Sequence, residues 1–148
     1  MEKVSGKDVE KEILTKYRTV AVVGLSKDSS KPSYVVAEYL RNHGFRIIPV
    51  NPTAEEILGE KSYKSLLDMP IAVQKTIEVV DVFRRSEDVL PVVEQAVQLR
   101  KLLGVPHVVW MQLGIVNEQA AIMARKVGMT VVMDKCMRLE YIRVFGDS

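Results

Sequence analysis

Short, almost uninterrupted apolar runs alternate along this chain with amphipathic stretches. Residues 19–25 read TVAVVGL, β-branched and closed by glycine, as in a strand covered on both faces of a parallel sheet. Runs of the same kind cover residues 46–51, 77–83, 107–111 and 130–134. Pro49 has no ladder donor, so it is expected near its strand's end or beside an irregularity. Residues 62–67 are ambiguous and allow a short edge strand.

The intervening stretches have helical spacing. Val35, Val36, Tyr39 and Leu40 share one face, with Pro32 near the start and Gly44 at the stop. A second helix opens at Ser86 and turns Val89, Leu90, Val93, Ala96 and Val97 inward; Pro91 is tolerated only in its first turns. Asn117 caps a third, with Ala120, Ala121, Ala124 and Val127 on one face and Gly128 closing it. Residues 8–16 form an opening helix with Val9, Ile13 and Leu14 inward. Strands joined by connections of helix length define βαβ units. The expected fold is α/β, Rossmann-like and doubly wound, a mostly parallel sheet with helices on both faces.

Composition narrows the class. The chain has 148 residues, 47% hydrophobic and 27% charged, with no repeat or linker-like tract, so residues 1–148 are read as a single domain. That apolar content excludes a disordered tail. The longest uncharged runs are too short to cross a bilayer, and residues 1–8 hold no apolar stretch, so neither a membrane partner nor a secretory leader is expected. One cysteine, Cys136, excludes an internal disulfide and a cysteine-based zinc site and fits a reducing, cytoplasmic location. A net charge of +2 gives no indication of nucleic-acid binding.

The position of the charges says more. Ligands of open parallel sheets bind beyond the carboxyl ends of the strands, which selects residues 24–33, 51–53, 83–86, 112–115 and 135–137. Lys27, Lys31, Arg84, Arg85 and Lys135 all fall there. One lysine in a loop is simply solvated; five cations along the edge where helix N-termini present free amides describe an anion site. The loop GLSKDSSKPS, residues 24–33, lies where a dinucleotide fingerprint would, yet matches neither G-x-G-x-x-G nor the P-loop pattern. Ser26, Ser30 and Ser33 offer hydroxyls to a pyrophosphate.

The end of the second strand discriminates among nucleotides. NAD sites place an acid there for the ribose hydroxyls; this chain has Asn51 and Pro52. A carboxylate facing a ribose phosphate would cost about 4 kcal/mol at about 4 Å and an effective dielectric near 20. A charged hydrogen bond returns only about 1.5–3 kcal/mol. The missing acid therefore favours coenzyme A or NADP, although Asn-Pro is also an ordinary turn.

Val23-Gly-Leu-Ser26, Lys31-Pro-Ser-Tyr34, Ile48-Pro-Val-Asn-Pro52, Asp81-Val-Phe-Arg-Arg85, Val109-Trp-Met-Gln-Leu-Gly114 and Val132-Met-Asp-Lys-Cys136 occur in that order. Together they resemble the small stand-alone CoA-binding domain proteins, which are similar to the N-terminal, Rossmann-like domain of the succinyl-CoA synthetase α subunit. The likeness runs from about Tyr17 to Ile142 and implies a cytoplasmic protein that binds coenzyme A, with no reaction common to the family. It implies Gly24, Ser26 and Lys27 at the phosphates, with Lys31, Pro32 and Ser33 opening the helix that holds them. Asn51 and Pro52 would border the adenosine ribose and its phosphate, Phe83, Arg84 and Arg85 would line the nucleotide, and Trp110, Gln112 and Gly114 would lie towards the pantetheine arm. The synthetase continues into a domain with a phosphorylated histidine, for which this chain is expected to have no counterpart.

His43 and His107 both fall away from the predicted crevice and read as surface or packing residues, and no metal-ligand spacing stands out. Trp110 and the methionines otherwise read as core. Cys136 follows the last strand between Lys135 and Arg138; it is a small hydrophobe or, with its thiolate stabilised, the partner of the coenzyme thiol in a mixed disulfide. The leading expectation is a CoA-binding module without catalysis of its own, taking CoA, a thioester or a disulfide. The alternatives are the CoA-binding subunit of an acyl-CoA ligase or CoA-linked enzyme that needs a partner chain, and an NADP-binding redox sensor. A homo-oligomer is also open.

Overall fold

The structure is a computed structural model and describes residues 7–146. The remaining residues of the expected single domain, including most of the N-terminal stretch read as carrying no leader, lie outside the described residues.

Five strands, β1 (Thr19–Val23), β2 (Arg46–Val50), β5 (Val79–Val82), β6 (Val108–Met111) and β7 (Thr130–Val132), form an all-parallel sheet in the order β2-β1-β5-β6-β7. Burial on both faces explains their uninterrupted apolar character. Helices α1 (Val9–Lys16), α2 (Pro32–Asn42) and α6 (Met137–Phe145) cover one face, packing Ile13, Leu14, Val36, Leu40 and Met137 on Val20, Val22, Val79, Val108 and Trp110. On the other face α4 (Val89–Leu103) and α5 (Glu118–Lys126) bury Val93, Ala96, Ala120 and Ala124 against Ala21, Val80, Val82 and Val109. The Rossmann-like, doubly wound fold is thus observed.

Asn117 acts as the expected cap, and Asp8, expected inside the opening helix, is instead its cap. Asp8 accepts from the Lys11 amide and Asn117 from the Ala120 amide, capping α1 and α5. The helix expected to open at Ser86 begins instead at Val89, after a 3-10 turn at Ser86–Asp88, which leaves Pro91 in the first turn of α4. Pro49 is accommodated because β2 is an edge strand. Residues 62–67 do not form a strand: Tyr63 makes one bridge to Val50, and a 3-10 turn follows at Leu66–Asp68. The periodicity argument missed the small hairpin of β3 (Glu56–Ile57) and β4 (Glu60–Lys61), the single turn α3 (Ile71–Gln74), and α6. The last of these matters most, because α6 walls the site. It is held to α2 by packing of Tyr141 on Tyr39 and His43, and to the start of α1 by Arg143, which donates to Asp8 at 2.9 Å.

Candidate functional site

Strand order reverses between β1, whose chain crosses through α2 to β2, and β5, which lies on the other side of β1. A crevice beyond the carboxyl ends of the strands is expected at such a point, and two adjoining hollows lie there. One, of about 430 Å³, is lined by Gly24, Ser26, Lys31, Pro32, Ser33, Phe83, Arg84, Arg85 and Ile115. The other, of about 620 Å³, shares Pro32, Phe83 and Ile115 and extends between α2 and α6. Its wall is largely apolar, with Val35, Val36, Leu113 and Leu139, and carries Ser30, Gln112, Cys136 and Arg138 as polar or reactive groups.

Backbone geometry shapes the smaller hollow. Gly24 has φ +91°, and its amide donates to the Val50 carbonyl at 2.9 Å. The loop that follows is tied to itself. The Ser26 amide donates to Ser33 Oγ at 2.9 Å, the Asp28 amide to Ser26 Oγ at 3.0 Å, and the Ser30 amide and hydroxyl to Asp28 Oδ1 at 2.9 and 2.7 Å. The Ser30 bonds hold the Asp28 carboxyl below its ordinary pKa of 3.8. Pro32 opens α2, and no side chain caps its N-terminus, which leaves first-turn amides and the positive end of the helix dipole facing the hollow.

The cations divide. Arg84 lines the hollow, and no carboxylate lies within ion-pair distance of it among the described residues; Lys31 is alike in both respects. Arg85 also lines it, but its Nε donates to Asp88 at 3.0 Å and Glu87 stands 3.7 Å from Nη1, which together raise its pKa. Lys135, counted among the rim cations from sequence, turns away and pairs with Glu10 at 3.2 Å. Lys27 is exposed and lines neither hollow.

Four other expected site residues line neither hollow, and three of them support the loops around the site. Asn51 donates through Nδ2 to the Leu25 carbonyl and accepts from the Thr53 and Ala54 amides, joining the loops after β1 and β2; Pro52 beside it lines neither hollow. Trp110 is fully buried, and its Nε1 donates to the Lys135 carbonyl at 2.7 Å, steadying the loop before α6. Gly114, φ +81°, donates its amide to Asp134 Oδ1 at 2.6 Å, linking the loops after β6 and β7. Gln112 does line the larger cavity, as does the half-buried Cys136.

Sequence reasoning missed the apolar wall. Val35 and Leu139 remain 39% and 50% exposed, an exposed apolar signal on helices that is visible only once α2 and α6 are paired. It also assigned no role to Asp81, a fully buried carboxyl on β5 that accepts from Gln112 Nε2 at 2.7 Å. Burial pushes its pKa up from 3.8 to about 7. The one available signal was an acid inside the apolar run of β5.

This is a Rossmann-like protein with a cationic, amide-rich crevice at its switch point and an apolar cavity beside it. The chain belongs to the CoA binding domain family, whose model matches residues 18–142. Bacillus subtilis (strain 168) YneT is 40% identical over 131 residues, which cover 88% of this chain and 90% of that protein. The ADP-forming acetate–CoA ligase of Methanocaldococcus jannaschii is 35% identical over 75 residues, 51% of this chain but 11% of the ligase, so the likeness is to a small part of that enzyme. A hypothetical protein of Pyrococcus horikoshii OT3 superposes with a TM-score of 0.84 at 36% identity, covering 99% of this chain and 98% of its own. Among the described residues no helix is long and apolar enough to cross a membrane, and no group of three or more His, Cys, Asp or Glu side chains could hold a metal ion.

Proposed function

We infer that the protein binds coenzyme A, free or as a thioester or disulfide, and performs no reaction on it unaided. The phosphates lie in the smaller hollow, against the first turn of α2, Ser26, Ser33 and Arg84, and the pantetheine arm enters the apolar cavity. The observation carrying this reading is Arg84, a cation without a carboxylate partner among the described residues, beside an uncapped helix N-terminus. A guanidinium so placed is suited to a phosphate, which it meets through paired donors. Family membership supports the same ligand. His43, stacked on Tyr39, and His107, stacked on Tyr17 at the amino end of β6, lie away from the crevice, which supports binding rather than phosphohistidine chemistry.

Calorimetric titration with CoA and dephospho-CoA tests the reading. The intact coenzyme is expected to bind at least about tenfold more tightly, one charged hydrogen bond's worth. Equal affinities overturn it, as would thermal stabilisation by NADPH but not by CoA.

The partial likeness to ADP-forming ligases supports a second reading, in which the protein presents the coenzyme to a partner chain. Its test is acyl-CoA formation from acid, ATP and CoA by material co-purified with this chain. Turnover by the co-purified material and none by the isolated chain would favour it.

A further inference from the structure

Asp81 and Gln112 form a buried pair whose geometry goes beyond holding the fold together. Asp81 is opposite Val22 on β1 and Trp110 on β6, and shares the α2/α6 face of the sheet with Val79. It is 0% exposed and Gln112 is 3% exposed. Asp81 Oδ1 accepts from Gln112 Nε2 at 2.7 Å, while Oδ2 meets no donor among the described residues. A carboxylate can only accept, so the amide is obliged to turn its NH2 towards Asp81. Gln112 lines the apolar cavity, and its Oε1 receives no hydrogen bond from the described residues.

We propose that Asp81 is a positioning residue that holds the Gln112 carbonyl oxygen towards the cavity as an acceptor for a hydrogen-bond donor on the ligand's arm, an amide N–H or a thiol S–H. This rests on the reading that a coenzyme arm enters the cavity. A carbonyl oxygen aimed into a wall of Val35, Val36, Phe83, Leu113 and Leu139 is selective because the wall offers a donor few other partners. Protonation of Asp81 removes the constraint: a neutral carboxyl donates to Oε1 as readily as it accepts from Nε2, and the amide is free to turn.

The charged and titratable groups on α2, on α6 and in the loops beyond β5 and β7 are Lys31, Tyr34, Glu38, Tyr39 and Arg41 at α2, Arg84 and Arg85 beyond β5, Asp134 and Lys135 beyond β7, and Cys136, Arg138, Glu140, Tyr141 and Arg143 at α6. None makes a hydrogen bond with Asp81. Protonation of this carboxyl is therefore governed by its burial and by Gln112.

The test compares CoA with 3′-phosphoadenosine 5′-diphosphate, its nucleotide half, by calorimetry on the full chain. In Asp81→Leu and Gln112→Met, CoA affinity is expected to fall about tenfold, the loss of one hydrogen bond in an apolar site, while the nucleotide half binds as in wild type. The wild-type preference for CoA over the nucleotide half should decline from about pH 8.5 to about pH 5.5. Asp81→Asn, a neutral group that offers Gln112 both a donor and an acceptor, should lose that pH dependence and keep the low-pH wild-type preference throughout. Desulfo-CoA separates the two donors, since sensitivity to Gln112→Met disappears with it if the thiol is the donor and persists if an amide is. Gln112→Met carries the result if Asp81→Leu does not fold. Unchanged CoA preference in Gln112→Met, or a flat wild-type pH profile, overturns the proposal while nucleotide binding stands. Absence of nucleotide binding overturns the underlying reading as well.

Discussion

Gly24 passes beneath the guanidinium of Arg84 so closely that a Cβ there would stand 2.9 Å from Nη1 and 2.1 Å from the Phe83 carbonyl oxygen. The turn after β1 and the end of β5 therefore share a space that only glycine leaves open, and its φ of +91° adds a second reason for glycine. Gly24→Ala is expected to cost at least about 1–3 kcal/mol in backbone strain and to displace Arg84. Urea unfolding and CoA titration should both register the change; a variant with wild-type stability and affinity would show that the two strands can part freely.

Arg84 and Arg85 are adjacent in sequence and unequal in the structure. Arg84→Glu should weaken CoA binding by about 10–100-fold, the loss of a charged hydrogen bond. Arg85→Glu should have less effect, because Arg85 is already engaged by Glu87 and Asp88. Arg125→Glu, at an exposed position of α5, provides the control. Equal losses at 84 and 85 in calorimetry would contradict this division.

Asp81 makes stability depend on pH in an unusual direction. Its folded pKa of about 7 lies above the ordinary 3.8, so the folded protein holds the proton more tightly than the unfolded chain. Its contribution is fully present below about pH 4 and is lost as pH rises towards 7, by roughly 4 kcal/mol in total. Asp8 acts oppositely: Arg143 and the Lys11 amide hold it down to about 2, so what it adds is lost as pH falls from about 4 towards 2. Chemical denaturation from pH 5 to pH 8 should show wild-type stability declining and Asp81→Asn nearly level. Parallel curves would remove Asp81 as the cause.

Asn51 joins two loops through four hydrogen bonds, to the Leu25 carbonyl and from the Thr53 amide, the Thr53 hydroxyl and the Ala54 amide. Asn51→Ala should cost about 1–2 kcal/mol, as for loss of a capping side chain. Amide exchange should accelerate at Thr53 and Ala54 before it does in β1; no local acceleration would mean the tie is dispensable.

Cys136 is half-buried in the wall of the cavity assigned to the coenzyme arm. With diamide as oxidant, its thiol and the coenzyme thiol are expected to join as a mixed disulfide, the two electrons and two protons reducing the diazene. Intact mass should rise by one coenzyme less two hydrogens in wild type and not in Cys136→Ala. An unchanged adduct in the variant would place the reaction elsewhere.

Much of the architecture was legible because it depends on local periodicity. Continuous β-branched runs marked all five strands of the main sheet, and Pro32 and Asn117 marked helix starts that the structure reproduces. Helix α6 escaped because its apolar residues are shared between the core, at Met137, the cavity, at Leu139, and the aromatic contacts of Tyr141, which blurs a single face. The site was legible as an edge: Gly24, Ser26, Lys31, Pro32, Ser33, Phe83, Arg84 and Arg85 do meet there.

The spacing of apolar residues was enough to establish a doubly wound sheet and the edge at which a ligand would lie, because strand and helix periods are properties of neighbours along the chain. Which cations face that edge unpaired was settled by folding, since the partner of Lys135 is Glu10, 125 positions away. The same holds for the cavity between α2 and α6 and for the bond between Asp81 and Gln112, 31 positions apart. Each arises from contact between segments whose separation in sequence carries no signal of their meeting.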